Sequence, residues 1–386
     1  MLRRLARCVN IADIRALAER RLPRAIFDYV EGGAEDEATV AHNRAAFARR
    51  VLLPRVLVDV GSTDLSTTVL GRRIALPVIL APCGLTGLVH PAAEGAAARA
   101  AHRAGTIYTL STMASTSIED LAAETEGPLW YQIYVWRDRG ILKGFLERAR
   151  AAGYQAVCLA VDSPVVSQRE RDLRHIAGDP PRPSLRTALD VLRHPSWLWH
   201  TLRGPKLGLP NVLPGAVGSL GALGRLAARA FDPTVTWRDL EWMVAQWDGP
   251  FAVKGLLHPA DAARAVACGA RAIIVSNHGG RQLDQAPASL DLLPEVVAAV
   301  GGRAEVLVDG GVRRGSDAVK ALALGARACL IGRPYVYGLA AAGEAGVDRV
   351  LALLRAEIER ALALIGCPAV RDLDTAFLYD ARAGPS

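Results

Sequence analysis

The sequence predicts an α/β fold, a (β/α)8 TIM barrel, with a helical extension before it and a long insertion after the fourth strand. Eight short apolar or β-branched runs alternate with Ala-rich segments of helical period. Six of the seven spacings between consecutive strand starts are roughly 22 to 33 residues, with one larger gap, and this spacing favours a barrel over a doubly wound sheet. The predicted strands are 77–81, 106–110, 129–134, 156–161, 250–254, 272–276, 305–309 and 327–331.

The segments between the predicted strands carry helical patterns, and several close on a glycine that can end a helix. The clearest of them are 92–105, 137–153, 258–270 and 315–326. The first 22 residues predict an amphipathic surface helix, because charges are scattered through them and the unbroken apolar stretch of a signal peptide is lacking. We expect residues 1–386 to form a single domain.

Composition narrows the class of protein. The 386 residues carry 46 Lys and Arg against 39 Asp and Glu, a net charge of +7, and 51% are hydrophobic, a balance that excludes a disordered chain, a collagen and a coiled-coil rod. Six scattered cysteines without a C-x-x-C pair predict neither a disulfide framework nor a metal site. No run reaches the roughly 18 apolar residues of a membrane span. We therefore expect a cytoplasmic protein, at most peripheral on the inner face of the cell membrane.

The predicted insertion, residues 179–230, carries most of the positive charge. It holds seven Lys and Arg against two acids, together with seven prolines and six glycines. Trp197, Trp199 and Leu202 lie among the cations, a combination typical of segments at a bilayer interface. Two interpretations stay open, a solvent-exposed and partly disordered excursion over the barrel mouth, or contact with a membrane surface. Nucleic-acid binding is not expected, since no aromatic-interleaved basic platform accompanies the charge.

The carboxyl ends of the predicted strands carry the candidate reactive groups, as expected for this fold. His278 and Arg281 lie in one Gly-rich turn, and a base beside a guanidinium suits a substrate that carries a carboxylate and loses a proton. The alternative is a turn in which Arg281 pairs with a surface acid. The other strand-end candidates are Pro82, Cys83, Gly84, Ser111, Gln132, Tyr134, Asp162, Lys254, Ser276 and Asp309.

The last two strand ends predict a phosphate site. Gly310, Gly311 and Gly332 can expose backbone N–H groups beside helix starts, and Arg313 and Arg333 add positive charge. Phosphate groups in eight-stranded barrels commonly lie at this position. Lys254, at the end of the fifth strand, would be a buried cation, and this suits a cofactor whose reduced form is negative.

Five motifs, in this order along the chain, resemble those of the FMN-dependent L-2-hydroxy-acid oxidase and dehydrogenase family: FDYVEGGAEDE (27–37), YQIYV (131–135), VKG (253–255), SNHGGRQLD (276–284) and DGGVRRGSD (309–317). The likeness covers nearly the whole chain and is greatest to the (S)-mandelate and membrane L-lactate dehydrogenases. It implies an FMN cofactor and oxidation of a mandelate- or lactate-like L-2-hydroxy acid to the 2-oxo acid. It also implies re-oxidation of the flavin by quinone or another acceptor, and a homotetramer.

The resemblance implies roles for individual residues. His278 would take the substrate proton while a hydride equivalent passes to flavin N5, and Asp162 would orient the imidazole. Arg281, Arg169 and Tyr29 would bind the substrate carboxylate, and Tyr134 the substrate oxygen. The residues implied for the cofactor are Lys254, Ser111 and Gln132 at the ring, Asp309 at the ribityl chain, Gly311, Arg313, Gly332 and Arg333 at the phosphate, and Pro82, Cys83, Gly84, Ser276 and Gly310 around them.

The sequence departs from the family pattern at three positions. Ala160 stands where a threonine is common near the flavin, Met113 where several oxidases keep an aromatic residue, and Gly84 where they keep an alanine. The last two changes are expected to open room near the ring, and the glycine favours a quinone-reducing dehydrogenase. The alternatives are a peroxide-forming oxidase of the same chemistry and a non-catalytic adaptor at a membrane surface.

Overall fold

Eight parallel strands close into a barrel in the computed structural model, which describes residues 2–177, 182–183, 185–205, 207–212 and 231–380. The strands follow chain order around the barrel, and the last pairs with the first, so the predicted fold is confirmed. Each strand overlaps the run predicted for it. The strands are β1 (Val78–Leu80), β2 (Tyr108–Ser111), β3 (Leu129–Ile133), β4 (Ala156–Ala160), β5 (Phe251–Leu256), β6 (Ala272–Val275), β7 (Glu305–Asp309) and β8 (Cys329–Ile331).

Helices surround the barrel and precede it. They are α1 (Leu2–Ala6), α2 (Ile11–Arg21), α3 (Arg24–Glu31), α4 (Ala38–Arg49), α5 (Ala93–Arg103), α6 (Ile118–Glu124), α7 (Arg139–Ala151), α8 (Glu170–Leu173), α9 (Leu185–Leu192), α10 (Pro195–Arg203), α11 (Trp237–Ala245), α12 (Pro259–Ala267), α13 (Ser289–Val300), α14 (Gly315–Ala323), α15 (Arg333–Ala342) and α16 (Glu344–Ile365). Short antiparallel pairs join Arg50–Leu52 to Leu378–Asp380, Thr67–Val69 to Arg72–Ile74, and Ile176–Ala177 to Arg182–Pro183.

The amino-terminal segment is two helices rather than the single helix that the sequence predicts. Asn10 lies in extended conformation between α1 and α2, and its side chain accepts a hydrogen bond from the Asp13 backbone N–H at 2.9 Å. An asparagine in this position caps the start of a helix. The cap therefore begins α2 afresh and explains the break.

The barrel interior is apolar along its lower part and polar at the carboxyl ends of the strands. Alternate residues of a strand face the same side. The inward positions of the lower part form one buried cluster that includes Ile79, Trp130, Cys158, Ala252, Ile274, Leu307 and Leu330. Two residues further along, the inward positions carry Gln132, Lys254, Ser276 and Asp309. The fold thus collects buried polar groups at one end of the barrel.

The described part of the insertion packs on the barrel rim. The Trp197 indole N–H in α10 donates to the Leu88 carbonyl oxygen at 2.7 Å. Asn211 accepts from the Ile118 backbone N–H at 2.9 Å and donates to the Thr116 carbonyl oxygen at 3.1 Å. Residues 179–181, 184, 206 and 213–230 of the insertion, for which partial disorder or membrane contact is predicted, lie outside the described residues. Across the part of the chain that is described, no helix is both long and apolar enough to cross a membrane.

Candidate active site

A cavity of about 530 Å³ opens at the carboxyl ends of the barrel strands. Most of the predicted site residues line it: Tyr29, Pro82, Cys83, Gly84, Ser111, Tyr134, Arg169, Lys254, His278, Arg281, Asp309, Gly310, Gly311, Arg313, Gly332 and Arg333. Asp162, Gln132 and Ser276 lie behind this wall and hydrogen bond to residues that form it. The fold therefore brings residues from all eight strand ends and from α3 into one place.

His278 and Asp162 form a hydrogen-bonded pair. The imidazole Nδ1 lies 2.9 Å from Asp162 Oδ1, and the His278 backbone, held at a φ of +58°, donates to Ser276 Oγ at 3.0 Å. Burial alone would raise the pKa of Asp162, but the imidazole and then the Lys254 ammonium outweigh it and hold that pKa below its usual value. An ionised Asp162 keeps the proton on Nδ1. The His278 Nε2 lone pair is then free to act as a base.

Two guanidinium groups lie beside the base. Arg281 Nη1 donates to the Tyr29 and Gly32 carbonyl oxygens, both at 2.9 Å. The guanidinium carbons of Arg281 and Arg169 lie 5.4 and 5.8 Å from the centre of the Tyr29 ring. Among the described residues no carboxylate forms an ion pair with Arg281, so the alternative in which this side chain pairs with a surface acid is wrong.

The arginine cluster favours an anionic ligand. Burial first, and then the charges of Arg169 and Arg333, lower the pKa of Arg281 to about 10. A carboxylate bound between Arg281 and Arg169 would offset both the burial and the mutual repulsion of the cations. This arrangement fits the predicted binding of a substrate carboxylate.

Tyr134 lies next to the imidazole. Its ring is inclined by 22° to the His278 ring, with the two centres 6.4 Å apart. Burial and then the charge of Asp162 raise the pKa of Tyr134 well above its usual value, so the phenol stays protonated and can donate a hydrogen bond. Tyr29, which also lines the cavity, donates its hydroxyl to the Gly84 carbonyl oxygen at 3.3 Å.

Lys254 and Asp309 form a buried ion pair that the sequence did not predict. Lys254 Nζ lies 2.8 Å from Asp309 Oδ2, and Ser276 Oγ accepts from the ammonium and donates to the same carboxylate, both at 2.9 Å. Lys254 is 3% exposed. Burial alone would lower its pKa, but the charges of Asp309 and Asp162 raise that pKa above its usual value. The side chain is therefore a fixed positive charge in the cavity wall.

The wall near β2 and β3 has hydrogen-bonding capacity that suits a flavin ring. Gln132 Oε1 accepts from Ser111 Oγ at 3.0 Å, whereas its Nε2 is buried without a partner among the described residues. A buried amide without a partner is costly, so a ligand with an acceptor at this point would stabilise the site. The Ser111 hydroxyl also accepts from the Met113 backbone N–H at 3.2 Å.

The opposite end of the cavity suits a phosphate. Gly311 has a φ of +91°, and a Cβ there would lie 2.4 Å from the Asn43 carbonyl oxygen, so only glycine fits this turn. Gly332 precedes the first residue of α15, whose amino end faces the cavity. The Arg313 guanidinium donates to the Val312 carbonyl oxygen at 2.8 Å, and burial lowers its pKa. These donors fit an FMN phosphate.

The Arg333 guanidinium lines the phosphate end of the cavity and also links two backbone segments. Its guanidinium donates to the carbonyl oxygens of Glu31 at 3.1 Å, Gly279 at 2.8 Å and Gly32 at 2.8 Å. It therefore ties the end of α3 to the turn that carries His278. Together with the hydrogen bonds from Arg281 to Tyr29 and Gly32, this contact fixes α3 relative to the turn that carries His278.

The expected space at Gly84 is filled. A Cβ built on Gly84 would lie 2.9 Å from Met113 Cβ and 3.1 Å from the Met113 carbonyl oxygen. The glycine therefore allows Met113 to approach rather than leaving an opening, so the expectation of open room is wrong at this point. Ala160, the third departure from the family pattern, is buried at the end of β4.

Sequence reasoning missed several residues that line the cavity, above all Phe231. Its ring lies against Tyr134, with centres 4.9 Å apart. Phe231 follows the insertion and precedes α11, so no strand end marks it. Leu85, Val165 and Val166 also line the cavity without any sequence signal beyond being apolar. The described residues hold no group of three or more His, Cys, Asp or Glu arranged for a metal ion.

Comparison with known proteins places the chain in a family. Residues 18–380 match the family of FMN-dependent dehydrogenases. An L-lactate oxidase of Nostoc sp. is 47% identical over 96% of this chain and 98% of its own, and an (S)-mandelate dehydrogenase of Pseudomonas putida is 44% identical over 96% and 94%. A crystal structure described as that of a monotopic membrane protein, (S)-mandelate dehydrogenase, superposes with a TM-score of 0.93 at 44% identity and covers 97% of this chain and 100% of its own. The protein belongs to the FMN-dependent dehydrogenase family.

Proposed function

We propose that the protein oxidises an L-2-hydroxy acid to the corresponding 2-oxo acid, with FMN as the electron acceptor. The observation that carries the proposal is the hydrogen bond between His278 Nδ1 and Asp162, made by a histidine that lines the same cavity as Arg281 and Arg169. FMN, when bound, would supply the acceptor for the Cα hydrogen of the substrate together with its two electrons. This chemistry agrees with the names of the related proteins.

Substrate binding and proton transfer are carried out by individual side chains. Arg281 and Arg169 bind the substrate carboxylate, and the protonated Tyr134 hydroxyl donates to the substrate oxygen. His278 Nε2 accepts the proton of the substrate hydroxyl as the carbonyl forms. Asp162 then faces an imidazolium at 2.9 Å, and this ion pair stabilises the charge that develops on the ring.

The residues around the cavity would hold FMN at two ends. Gln132 and Ser111 supply hydrogen-bonding groups for the ring, and Lys254 supplies a positive charge that stabilises a reduced, negative cofactor. The Gly310–Gly311 turn, the start of α15 and Arg313 supply donors for the phosphate. Pro82, Cys83 and Asp309 complete the wall between the two ends.

An anaerobic reduction experiment tests the proposal. The purified holoprotein is mixed without oxygen with L-lactate, L-2-hydroxy-4-methylpentanoate, (S)-mandelate and L-3-phenyllactate, and the visible absorbance of the flavin is followed. We expect at least one of these acids to bleach the flavin, whereas the matching D acids leave it oxidised. If every L acid leaves the flavin oxidised, the proposed reaction is wrong.

For the physiological electron acceptor we propose a membrane quinone. Gly84 supports this choice, since the family resemblance associates glycine at this position with dehydrogenases, and so does the similarity to (S)-mandelate dehydrogenase. The similarity to an L-lactate oxidase supports the alternative, a peroxide-forming oxidase. Re-oxidation of the reduced holoprotein with air and with a water-soluble quinone separates the two. Rapid re-oxidation by air with stoichiometric peroxide would favour the oxidase.

We further propose that α9 and α10 lie on the inner face of the cell membrane. The apolar residues Leu189, Leu192, Trp199 and Leu202 are exposed on these helices, the last two by 55% and 75%. Arg203 lies over the Trp199 ring at 3.6 Å and adds positive charge beside it. Large apolar side chains next to cations are typical of interfacial helices. The similar structure described as a monotopic membrane protein supports this assignment.

Liposome binding tests the membrane proposal. The W199S/L202S variant should sediment with anionic vesicles much less than the parent protein, and a Leu364→Ser control, which changes an exposed leucine on α16, should not differ. Equal sedimentation of all three proteins would contradict the proposal.

A His278→Ala variant separates an enzyme from the adaptor alternative. An enzyme should lose most of its turnover when the base is removed, whereas vesicle binding, the whole function of an adaptor, should be unchanged.

For the assembly we propose a homotetramer. Val56 and Leu57 expose apolar side chains in a loop before the barrel, a surface suited to self-association. Light scattering should give about four times the 41.0 kDa chain mass. A monomer at micromolar concentration would contradict the assignment.

A further inference from the structure

We infer that Phe231 and Met113 form an apolar wall that makes the enzyme prefer L-2-hydroxy acids with an aromatic or large branched side chain. The inference rests on the proposed function and names the substrate class of that site. It concerns the part of the cavity that neither the base nor the carboxylate-binding arginines occupy. We refer to Phe231 and Met113 as the side-chain wall.

The cavity lining contains both charged and purely apolar side chains. The proposed substrate-binding cations, Arg281 and Arg169, lie around Tyr29, whereas Leu85, Met113, Val165, Val166 and Phe231 contribute only apolar side chains. When the carboxylate and hydroxyl of a 2-hydroxy acid occupy the polar groups, its third substituent must lie elsewhere in the cavity. The described rings next to Phe231 are those of Tyr134 and Trp136, which carry no positive charge. Arg137, which donates to the Phe231 carbonyl oxygen, does not line the cavity, so hydroxy diacids are expected to fit poorly.

Phe231 adjoins the reacting groups through Tyr134. The Phe231 ring centre is 4.9 Å from that of Tyr134, and the Tyr134 ring centre is 6.4 Å from that of His278. The three rings form a row that begins at the base and ends at Phe231. A substrate whose oxygen meets Tyr134 and His278 therefore has Phe231 within reach of its side chain.

The backbone around Phe231 is fixed, so the ring is a built element of the cavity. Phe231 pairs with Trp136 as an isolated antiparallel bridge, and its carbonyl oxygen accepts from Arg137 Nε at 3.2 Å. The Asp232 backbone N–H donates to the Val135 carbonyl oxygen at 3.1 Å. The ring also meets that of Trp136 edge to face at a centre distance of 5.7 Å. A position held by this many contacts can select among substrates.

Met113 completes the wall with an adaptable side chain. Its Cβ and carbonyl oxygen lie so close to Gly84 that any larger residue there would push Met113 away. Thioethers pack favourably at aromatic edges and adjust to irregular shapes. Because Phe231 and Met113 line the same cavity, we expect an aryl or branched substituent to contact both, whereas the methyl group of lactate would leave much of this wall uncovered. The difference in buried apolar area sets the preference.

Replacement of the Phe231 ring tests the inference. We would compare the parent with F231A, with F231L, which keeps apolar volume but removes the aromatic face, and with V235A. Val235 belongs to the same segment but does not line the cavity, so V235A reports general loosening of the segment. Anaerobic flavin reduction is measured with L-lactate, L-2-hydroxy-4-methylpentanoate, (S)-mandelate and L-3-phenyllactate. Binding of phenylglyoxylate and pyruvate is measured separately by perturbation of the flavin spectrum.

The expected pattern is a change in selectivity. F231A should lower the second-order rate constant for reduction by the two aryl acids about tenfold or more, a loss of about 1.4 kcal/mol, and weaken phenylglyoxylate binding similarly. L-Lactate and pyruvate should change less than about threefold. F231L should retain most of the activity with the branched acid and lose that with the aryl acids.

Three outcomes would overturn the inference. They are an equal loss for every acid in F231A, no loss for any acid, and the same pattern in V235A. Failure of the proposed function has a different signature, since the parent flavin would then stay oxidised with all four acids. The two failures are therefore distinguishable in one set of measurements.

Discussion

The two halves of the barrel interior are built from the same strands, but the lower half is apolar and the upper half is charged. In β5, the inward residue of the lower half is Ala252 and that of the upper half is Lys254, and in β7 they are Leu307 and Asp309. Alternate strands of a barrel contribute to the same layer, so Lys254 and Asp309 meet across one layer, while Ala252 and Leu307 meet in the layer below. A shift of two residues along the strand converts a packed core into a charged site.

The two layers contribute differently to stability and to function. The lower layer contributes burial of apolar area and holds the strands together. The upper layer contains charges whose desolvation is costly, and each is tolerated because a partner lies within hydrogen-bond distance. Changes in the upper layer should therefore alter cofactor binding and chemistry, and also stability where they leave a buried charge without its partner. Changes in the lower layer should alter stability alone.

The largest effect on stability is expected from Lys254→Met. This change removes the cation and leaves the Asp309 carboxylate buried without it, which should cost about 3–5 kcal/mol in the free energy of unfolding and lower the FMN content. Urea unfolding followed by far-UV circular dichroism gives the value. The double variant K254M/D309N should recover part of the loss, because no uncompensated charge remains. A single variant as stable as the parent would contradict the account of the buried pair.

Leu307→Ala tests the lower layer. Leu307 is fully buried, and its truncation should cost about 2–5 kcal/mol in the free energy of unfolding. The rate of flavin reduction per bound FMN should stay within about twofold of the parent, since no group of the site is touched. A tenfold lower rate with intact FMN content would show that the two halves of the interior are not separable.

Asp162→Asn changes the upper layer with little change in shape. An amide can turn its NH2 group toward His278 Nδ1, which then becomes an acceptor, and the proton moves to Nε2, where the base should be. We expect flavin reduction to slow by about 10²-fold. Stopped-flow measurement under anaerobic conditions gives the rate constant. Reduction at the parent rate would mean that the carboxylate does not set the tautomer of His278.

The sequence predicted the architecture better than the pairing of charges. All eight strands were predictable because each is a short apolar run bounded by helical segments, and strand ends are where this fold puts its polar groups. The ion pair of Lys254 and Asp309 was not, because their contact depends on strand register across the barrel, which local patterns do not encode. The break at Asn10 was overlooked, although an asparagine before an apolar pattern is a recognised helix start.

Phe231 was beyond sequence reasoning for a different reason. It reaches the cavity only because the chain returns from the insertion and pairs with Trp136, a contact between segments 95 residues apart. No periodicity marks such a return. The resemblance to a family assigned roles to particular residues of its motifs, and it assigned no role to Phe231.

The smallest effect is expected in the pH dependence of stability, from His90 where the insertion meets the barrel. The ring centres of His90 and of His200 in α10 are 5.8 Å apart. Burial, and then the charges of Arg21 and His200, lower the pKa of His90 to about 4. The unfolded chain, with its histidine pKa near 6.5, binds more protons between pH 6.5 and 4. Stability should therefore fall as the pH drops through this range.

His90→Asn removes that titration. Its decrease in melting temperature between pH 7 and pH 5 should be smaller than that of the parent, whereas a control at the exposed His42, His42→Asn, should behave like the parent. Differential scanning fluorimetry at the two pH values gives the comparison. An unchanged pH dependence in the His90 variant would mean that this histidine is not buried in its neutral form.

The base at the upper end of the barrel is tested most directly by single-turnover reduction of bound FMN in the parent and in His278→Asn, at equal flavin content and without oxygen. The account predicts that a saturating L-2-hydroxy acid bleaches the parent flavin, and that the variant reacts about 10²- to 10⁴-fold more slowly while it still binds the 2-oxo acid. Reduction of both proteins at the same rate would contradict the assignment of His278 as the group that accepts the substrate proton.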